Sequence, residues 1–210
     1  MSVEILTQSE IDVSQIWPQE TVFVLPTTDI AMASRCAKLM DQRAQSDLHI
    51  LLVLDVDCVG FVAVCNQLFR QTSGIYFGYT AQDAFPGRQW LAIAKKALDT
   101  DDGYLLGFND GKWHGMLAAF GLVRREWAKM NYGGNLFDSN YFSHYADVEL
   151  TLLAMQQMKY RYDPRSVLIE VDWEKDRKPT RVEDKHLFAE RLSKEFDGRV
   201  KDARLLKLFK

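Results

Sequence analysis

Three short polar segments, each carrying an aspartate, directly follow runs of apolar residues. They cover residues 26–29, 55–57 and 80–83. Open α/β sheets bind ligands outside the carboxyl ends of their strands, and a carboxylate there can hold a divalent cation that neutralises a diphosphate. Aspartate and threonine in such places also cap helices and form turns. The spacing alone leaves both interpretations open, for Asp83 and for Asp29 alike.

A second acidic pair, Asp147 and Glu149, opens a predicted helix at residues 145–158. Residues two apart do not share a helix face, so the pair is not a close dyad. One carboxylate could enter a cleft and act as a general base, or both could simply favour the helix dipole. His114, within the Lys-Trp-His-Gly run at residues 112–115, either lines a pocket or is structural.

Strands and helices alternate along most of the chain. Strands are predicted over residues 21–25, 49–56, 75–79, 104–108, 116–123 and 167–171, and helices over residues 30–43, 60–69, 89–98, 124–130, 145–158, 185–196 and 202–209. This alternation favours a single α/β domain with a mostly parallel central sheet flanked by helices. We expect an N-terminal extension at residues 1–20, an irregular segment at 131–143, a mobile loop at 172–185 and C-terminal helices at 186–210.

Composition excludes several protein classes. The 210 residues are 47% hydrophobic and 26% charged, with a net charge of −3, which is typical of a globular chain and gives no support to general nucleic-acid binding. No apolar run reaches the ~20 residues of a membrane span, and residues 1–10 lack a secretory signal pattern. Three cysteines without metal-site spacing suit a reducing compartment, so we expect a cytoplasmic protein. Dinucleotide, phosphate-loop, GxSxG and HExxH motifs are absent.

Several segments, taken in order, resemble the GT-A glycosyltransferases, especially the inverting family-two group. The carriers are VFVLPTT at 22–28, AVCN at 63–66, GIYFGYTAQD at 74–83, FDSNYF at 137–142 and YADVEL at 145–150. The resemblance spans roughly residues 21–150, and YADVEL is its most specific part. It implies a Rossmann-like GT-A domain.

The resemblance also implies an activity and its residues. A sugar would move from a nucleotide-diphosphate donor, of UDP type, to an unidentified acceptor hydroxyl by single displacement, with Asp147 as the base. Asp83 would hold a divalent cation, Mn²⁺ or Mg²⁺. The nucleotide-sugar contacts would be Pro26, Thr27, Thr28, Asp55, Asp57, Asn66, Gln82, Asp83 and His114.

Three departures from the family pattern leave metal dependence open. Ala81 stands where the first aspartate of the DxD motif belongs, Ala146 replaces the acidic residue before the base, and no histidine lies near residues 171–173. Two other functions therefore compete with sugar transfer. One is nucleotidyl transfer, although residues 26–29 lack the expected Gly- and Arg/Lys-rich loop. The other is a non-catalytic binding or assembly protein that uses residues 127–145 as an interface.

Overall fold

The computed structural model of this protein describes residues 2–7, 10–11, 17–100, 102–171 and 180–209. The strands in these ranges are β1 Ser2–Thr7, β2 Trp17–Pro18, β3 Thr21–Thr27, β4 His49–Leu54, β5 Thr72–Ser73, β6 Tyr76–Tyr79, β7 Ala84–Pro86, β8 Leu105–Asn109, β9 Gly121–Arg124 and β10 Tyr160–Glu170. Eight of these described strands form one sheet, in the order β1-β4-β3-β6-β9-β8-β10-β7.

The centre of the sheet is built from strands with continuous apolar sequences. β3 and β4 pair in parallel, with Val22 opposite His49, and both are buried along most of their length. Alternate side chains enter two separate apolar clusters, so that Val24 lies in one and Phe23 in the other. Strands buried on both faces need cover on both sides, which the connecting helices provide.

The helices are α1 Ile30–Ala44, α2 Phe61–Gln71, α3 Trp90–Thr100, α4 Arg125–Lys129, α5 Ala146–Gln156, α6 Val182–Ser193 and α7 Glu195–Gly198. α1 begins after Asp29, whose Oδ1 accepts the N–H groups of Ala31 and Met32 at 3.0 Å. This is the N-cap geometry that the residue type favours. In the described part of the chain, no helix has both the length and the apolar character needed to cross a bilayer.

Following the order of strands in the sheet, β1, β4, β3 and β6 pair in parallel, and so do β8 and β10. β9 lies antiparallel between β6 and β8, and β7 is antiparallel to β10. The predicted single α/β domain with a mostly parallel sheet is confirmed. Five strands, β3, β4, β6, β8 and β10, run in the same direction. Their carboxyl ends therefore lie along one edge of the sheet.

Five predicted elements differ from the structure by more than two residues. The strand predicted at 167–171 is the end of the longer strand β10, which begins at Tyr160. The N-terminal extension contains an edge strand, β1, which pairs in parallel with β4. The strand predicted at 116–123 is limited to Gly121–Arg124, because the chain before it turns rather than extends. The helix predicted at 202–209 is one short 3-10 turn, Leu205–Lys207. α6 starts at Val182, inside the predicted loop 172–185, whose residues 172–179 lie outside the described ranges.

Candidate functional site

The loops that follow β3 and β6 are joined by the side chain of Gln82. Its Oε1 accepts hydrogen bonds from Thr27 Oγ1 at 2.6 Å, from the Thr28 amide at 2.9 Å and from the Asp29 amide at 3.1 Å. These bonds fix the turn from β3 into α1. A cleft of about 220 Å³ lies at this place, lined by Pro26, Thr27, Thr28, Asp55, Phe61, Ala81, Gln82 and Asp83.

Asp55 shapes the wall of the same cleft. Its two carboxylate oxygens accept the amides of Val59 and Gly60, each at 2.9 Å, which holds the turn from β4 into α2. Gly60 has φ +94°, and a Cβ there would lie 2.7 Å from the carbonyl oxygen of Phe142. Only glycine fits such a close approach with this backbone conformation.

Asp83 sits at the end of the loop after β6. It is buried, with 1% of its surface exposed, and it lines the cleft. Its carbonyl oxygen accepts the amide of Val171 at 3.2 Å, which connects this loop to the end of β10. The backbone of Asp83 is therefore fixed to the neighbouring strand end.

Asp147 lies in the first turn of α5 and lines a second cleft of about 170 Å³. The residues around that cleft are Phe61, Ala81, Ala119, Phe120, Ser143, Ala146, Asp147 and Glu170. Phe61 and Ala81 line both clefts, so the two spaces adjoin. Asp83 and Asp147 thus face neighbouring parts of one depression at the carboxyl ends of the strands.

The electrostatics of Asp147 suit proton transfer near neutral pH. Burial raises the pKa of this half-buried carboxyl to about 7, against the pull of the Val148 and Asp147 amides, and the charge of Asp110 raises it further. A carboxylate in apolar surroundings holds its proton more tightly because the charged form loses its hydration. A general base works best when its pKa is close to the operating pH.

Asp110, which follows β8, is a neighbour that the sequence did not single out. It is 1% exposed, and its Oδ1 accepts the amides of Lys112 and Trp113 at 2.8 Å each. Among the described residues, its Oδ2 has no hydrogen-bond partner. The sequence Asn-Asp-Gly-Lys at residues 109–112 is typical of a turn, but it gives no sign that this carboxylate lies near Asp147.

The loop before α5 is held by Asp184 of α6, which the sequence also did not single out. The Asp184 carboxylate accepts the amides of Phe142, Ser143 and His144 at 2.8 to 3.0 Å. Burial alone would raise the pKa of Asp184, but these hydrogen bonds and the His144 ring outweigh it, so the pKa is lowered. A C-terminal helix therefore fixes the segment that leads into Asp147.

Glu149 faces away from the clefts, as its spacing from Asp147 predicted. It is fully buried, and Arg191 donates to both of its oxygens at 2.7 Å. Arg199, Tyr132 and Tyr141 donate to the same carboxylate. A cavity of about 450 Å³ lies over this network. The network joins α5 to the C-terminal segment, and its charges are already paired, so we assign it a structural role.

No protein-family profile and no curated protein matches this sequence. Its structure is similar to the mannosyltransferase PcManGT from Pyrobaculum calidifontis, solved with GDP-Man and Mn²⁺, at TM-score 0.53 and 16% identity, covering 73% of this chain and 57% of that chain. It is also similar to TarS of S. aureus, at TM-score 0.58 and 11% identity, covering 82% of this chain and 39% of that one. This chain has a glycosyltransferase fold. A shorter TarS, residues 1–349 with UDP, gives TM-score 0.54 and 12% identity, covering 85% of this chain and 72% of that chain.

Three residues expected to bind the nucleotide sugar lie elsewhere in this glycosyltransferase fold. Asn66 is buried, and its amide exchanges two hydrogen bonds with the backbone of Phe137, at 2.9 and 3.0 Å. Its side chain therefore holds the irregular segment to α2. Asp57 and His114 are exposed and line neither cleft. We leave these three out of the proposed site, because their side chains do not reach the clefts.

A divalent cation at the expected place would have one carboxylate from the loop after β6. Ala81 offers no ligand, and both oxygens of Asp55 accept backbone amides. Across the described residues, no group of three or more His, Cys, Asp and Glu side chains is placed to hold a metal. A single carboxylate is enough only for a cation that takes most of its ligands from a diphosphate and water, as Mg²⁺ commonly does.

Proposed function

We propose that this protein transfers a sugar from a nucleotide-diphosphate sugar to an acceptor hydroxyl, with inversion. The observation that carries the proposal is the position of Asp147. Its carboxylate has a pKa raised to about 7 and lines a cleft that adjoins the one formed by the loops after β3, β4 and β6. A base and a ligand-sized depression therefore meet at the sheet edge where α/β folds bind ligands.

In this proposal, Asp147 accepts the proton of the acceptor hydroxyl as its oxygen attacks the anomeric carbon. A carbon–oxygen bond to the acceptor forms while the bond to the diphosphate breaks, and the nucleoside diphosphate leaves with the electron pair. Attack from the side opposite the leaving group inverts the anomeric configuration. Asp184 contributes by holding the loop that precedes Asp147, since positioning of the reacting groups lowers the barrier.

The donor nucleotide, of UDP type as the first choice, would occupy the cleft lined by Pro26, Thr27, Thr28, Asp55 and Gln82. Two proteins of similar structure, the mannosyltransferase solved with GDP-Man and TarS 1–349 solved with UDP, support a nucleotide sugar of this general kind. Asp83 would hold a divalent cation together with the diphosphate oxygens. When bound, that ion would stabilise the negative charge that develops on the leaving diphosphate.

The three cysteines without disulfides agree with a cytoplasmic location.

The test is turnover of a panel of nucleotide sugars, with and without Mn²⁺, measured as release of nucleoside diphosphate. We expect Asp147→Asn to lose most turnover, on the order of 10²-fold or more, while it keeps its affinity for the donor. Asp47→Asn on an exposed loop is the matched control and should behave as wild type. Normal turnover by Asp147→Asn would show that another group is the base.

One observation favours a second function, a non-catalytic nucleotide-sugar-binding protein. Ala81 leaves the loop after β6 with a single acidic ligand, so the donor could bind without being activated. Binding of a nucleotide sugar with no release of nucleoside diphosphate, at any pH between 6 and 9 and with any acceptor, would select this second function. Nucleotidyl transfer would instead release pyrophosphate from a nucleoside triphosphate.

A further inference from the structure

The cleft beside Asp147 has an apolar side and an acidic side. Phe61, Ala119, Phe120 and Ala146 supply apolar surface, and Ser143 adds one hydroxyl. The acidic side consists of Asp147, from α5, and Glu170, from the end of β10. Two carboxylates from different elements therefore face a small space whose remaining wall is mainly hydrocarbon.

Glu170 is held firmly in this wall. Its side chain is 12% exposed, and its backbone amide donates to the carbonyl oxygen of Asp110 at 3.2 Å. The ammonium of Lys112 lies 3.9 Å from one carboxylate oxygen of Glu170. Lys112 offsets part of the negative charge but does not line the cleft.

Asp110 adds a third carboxylate close to this space. Its Oδ2 is buried and has no hydrogen-bond donor among the described residues, while its charge acts on Asp147. Asp110 does not line the cleft, so it adds negative charge beside it but makes no contact with a ligand there. The O–H or N–H groups of a ligand in the cleft would meet the two carboxylates that line it, Asp147 and Glu170.

We propose that this cleft holds a sugar that is uncharged or carries an amine, and that Glu170 sets this selectivity against sugars with a carboxylate or phosphate. The inference rests on the proposed sugar transfer. Carboxylates accept hydrogen bonds from hydroxyl and ammonium groups, and the C–H face of a sugar ring can pack on the apolar wall. An anionic substituent would meet like charges, which oppose its binding.

The sugar of the donor and that of the acceptor share this chemistry, so the experiment has two arms, both run at pH 8, where Asp147 is mostly ionised. The donor arm compares UDP-glucose with UDP-glucuronate by calorimetric titration. The acceptor arm compares methyl glucoside and glucosamine with glucose 6-phosphate, each in the presence of saturating UDP, by saturation-transfer NMR. We expect the anionic sugar to bind roughly tenfold more weakly or worse in the arm whose sugar occupies the cleft.

Glu170→Gln keeps the shape of the side chain and removes its charge. It should reduce a tenfold discrimination to about threefold, because half of a tenfold effect in free energy is about threefold. Glu126→Gln, on the exposed side of α4, is the matched control and should leave the discrimination unchanged. Thermal unfolding of each variant establishes that it is folded before its affinities are compared.

Three results would overturn this inference: equal binding of anionic and uncharged sugars in both arms, an unchanged ratio in Glu170→Gln, or no binding of any sugar or nucleotide sugar. These measurements need no turnover. If anionic sugars bind more weakly but no nucleotide sugar is consumed, the cleft is a sugar site in a protein that does not transfer sugars. If turnover occurs and anionic sugars bind as well as uncharged ones, the transfer proposal stands and the selectivity proposal fails.

Discussion

Replacing Asp147 by asparagine should make the protein more stable at alkaline pH, although it removes the proposed base. In the folded protein Asp147 keeps its proton up to about pH 7, whereas the unfolded chain loses it near the ordinary pKa of 3.8. The folded state therefore binds more protons between these two values, and its stability falls as pH rises through that window. Asparagine does not ionise, so the variant escapes this loss.

The size of the effect follows from the gap between the two pKa values, which corresponds to at most about 4 kcal/mol. Water in the cleft screens part of the charge, so we expect about 2 kcal/mol at pH 8. For a chain of this length, that raises Tm by about 4–8 °C. Near pH 4, where the carboxyl is protonated in the folded state and half protonated in the unfolded one, the variant and wild type should differ little.

Thermal unfolding followed by circular dichroism between pH 4 and pH 8 measures this prediction. The difference in Tm between Asp147→Asn and wild type should grow from pH 4 to about pH 7 and then stay constant. Asp47→Asn, at an exposed position, is the matched control and should leave Tm nearly unchanged. A difference for Asp147→Asn that is independent of pH, or a variant less stable at pH 8, would refute the reasoning.

Three further predictions concern the residues around the site. Glu149→Gln should lower the stability by about 3 kcal/mol, since it removes the fully buried charge that two part-buried arginines share. Glu190→Gln, in an exposed pair with Lys194, should leave Tm unchanged, and equal Tm values for the two variants would refute the buried network. Asp184→Asn should lower kcat by roughly tenfold with donor affinity preserved, because the loop before Asp147 loses charge-assisted hydrogen bonds; unchanged kinetics would contradict this role. Gln82→Leu should weaken nucleotide binding by roughly tenfold in calorimetric titration, as the loop after β3 loses its acceptor, and unaltered affinity would show that this loop does not bind the nucleotide.

The strands at the centre of the sheet could be predicted because a strand buried on both faces has a continuous apolar sequence. β3 and β4 lie where these runs predicted them, within two residues at each end. β1 was missed because its sequence, Ser2–Thr7, mixes polar and apolar residues, and it becomes a strand by pairing with the exposed edge of β4. An edge strand such as β1 lacks the continuous apolar run by which a buried strand is recognised in a sequence.

The C-terminal helix at residues 202–209 was predicted from its apolar spacing, yet only Leu205–Lys207 is helical. Short segments depend on packing for their helical stability, and this one lies at the periphery. Gln156 of α5 accepts the amides of Lys201 and Asp202, so the backbone here is satisfied by a side chain instead of a helical turn.

The candidate site was only partly visible in the sequence. Pro26, Thr27, Thr28, Gln82 and Asp83 meet in one cleft because parallel strands end at one edge, a rule that a sequence can use. The contacts that Asn66, Asp110 and Asp184 make in the structure could not be predicted, because their partners lie elsewhere along the chain or their burial depends on other elements. The contact of Asp184 with residues 142–144, for example, joins segments about 40 residues apart.

The dependence of turnover on pH tests the central claim most directly. The account predicts that kcat/KM for the preferred nucleotide sugar rises tenfold per pH unit on the acid side, with a midpoint near 7, as Asp147 loses its proton. The residual activity of Asp147→Asn should lack this rise. A wild-type profile that is flat between pH 5 and pH 8, or the same rise in the variant, would contradict the assignment of Asp147 as the base.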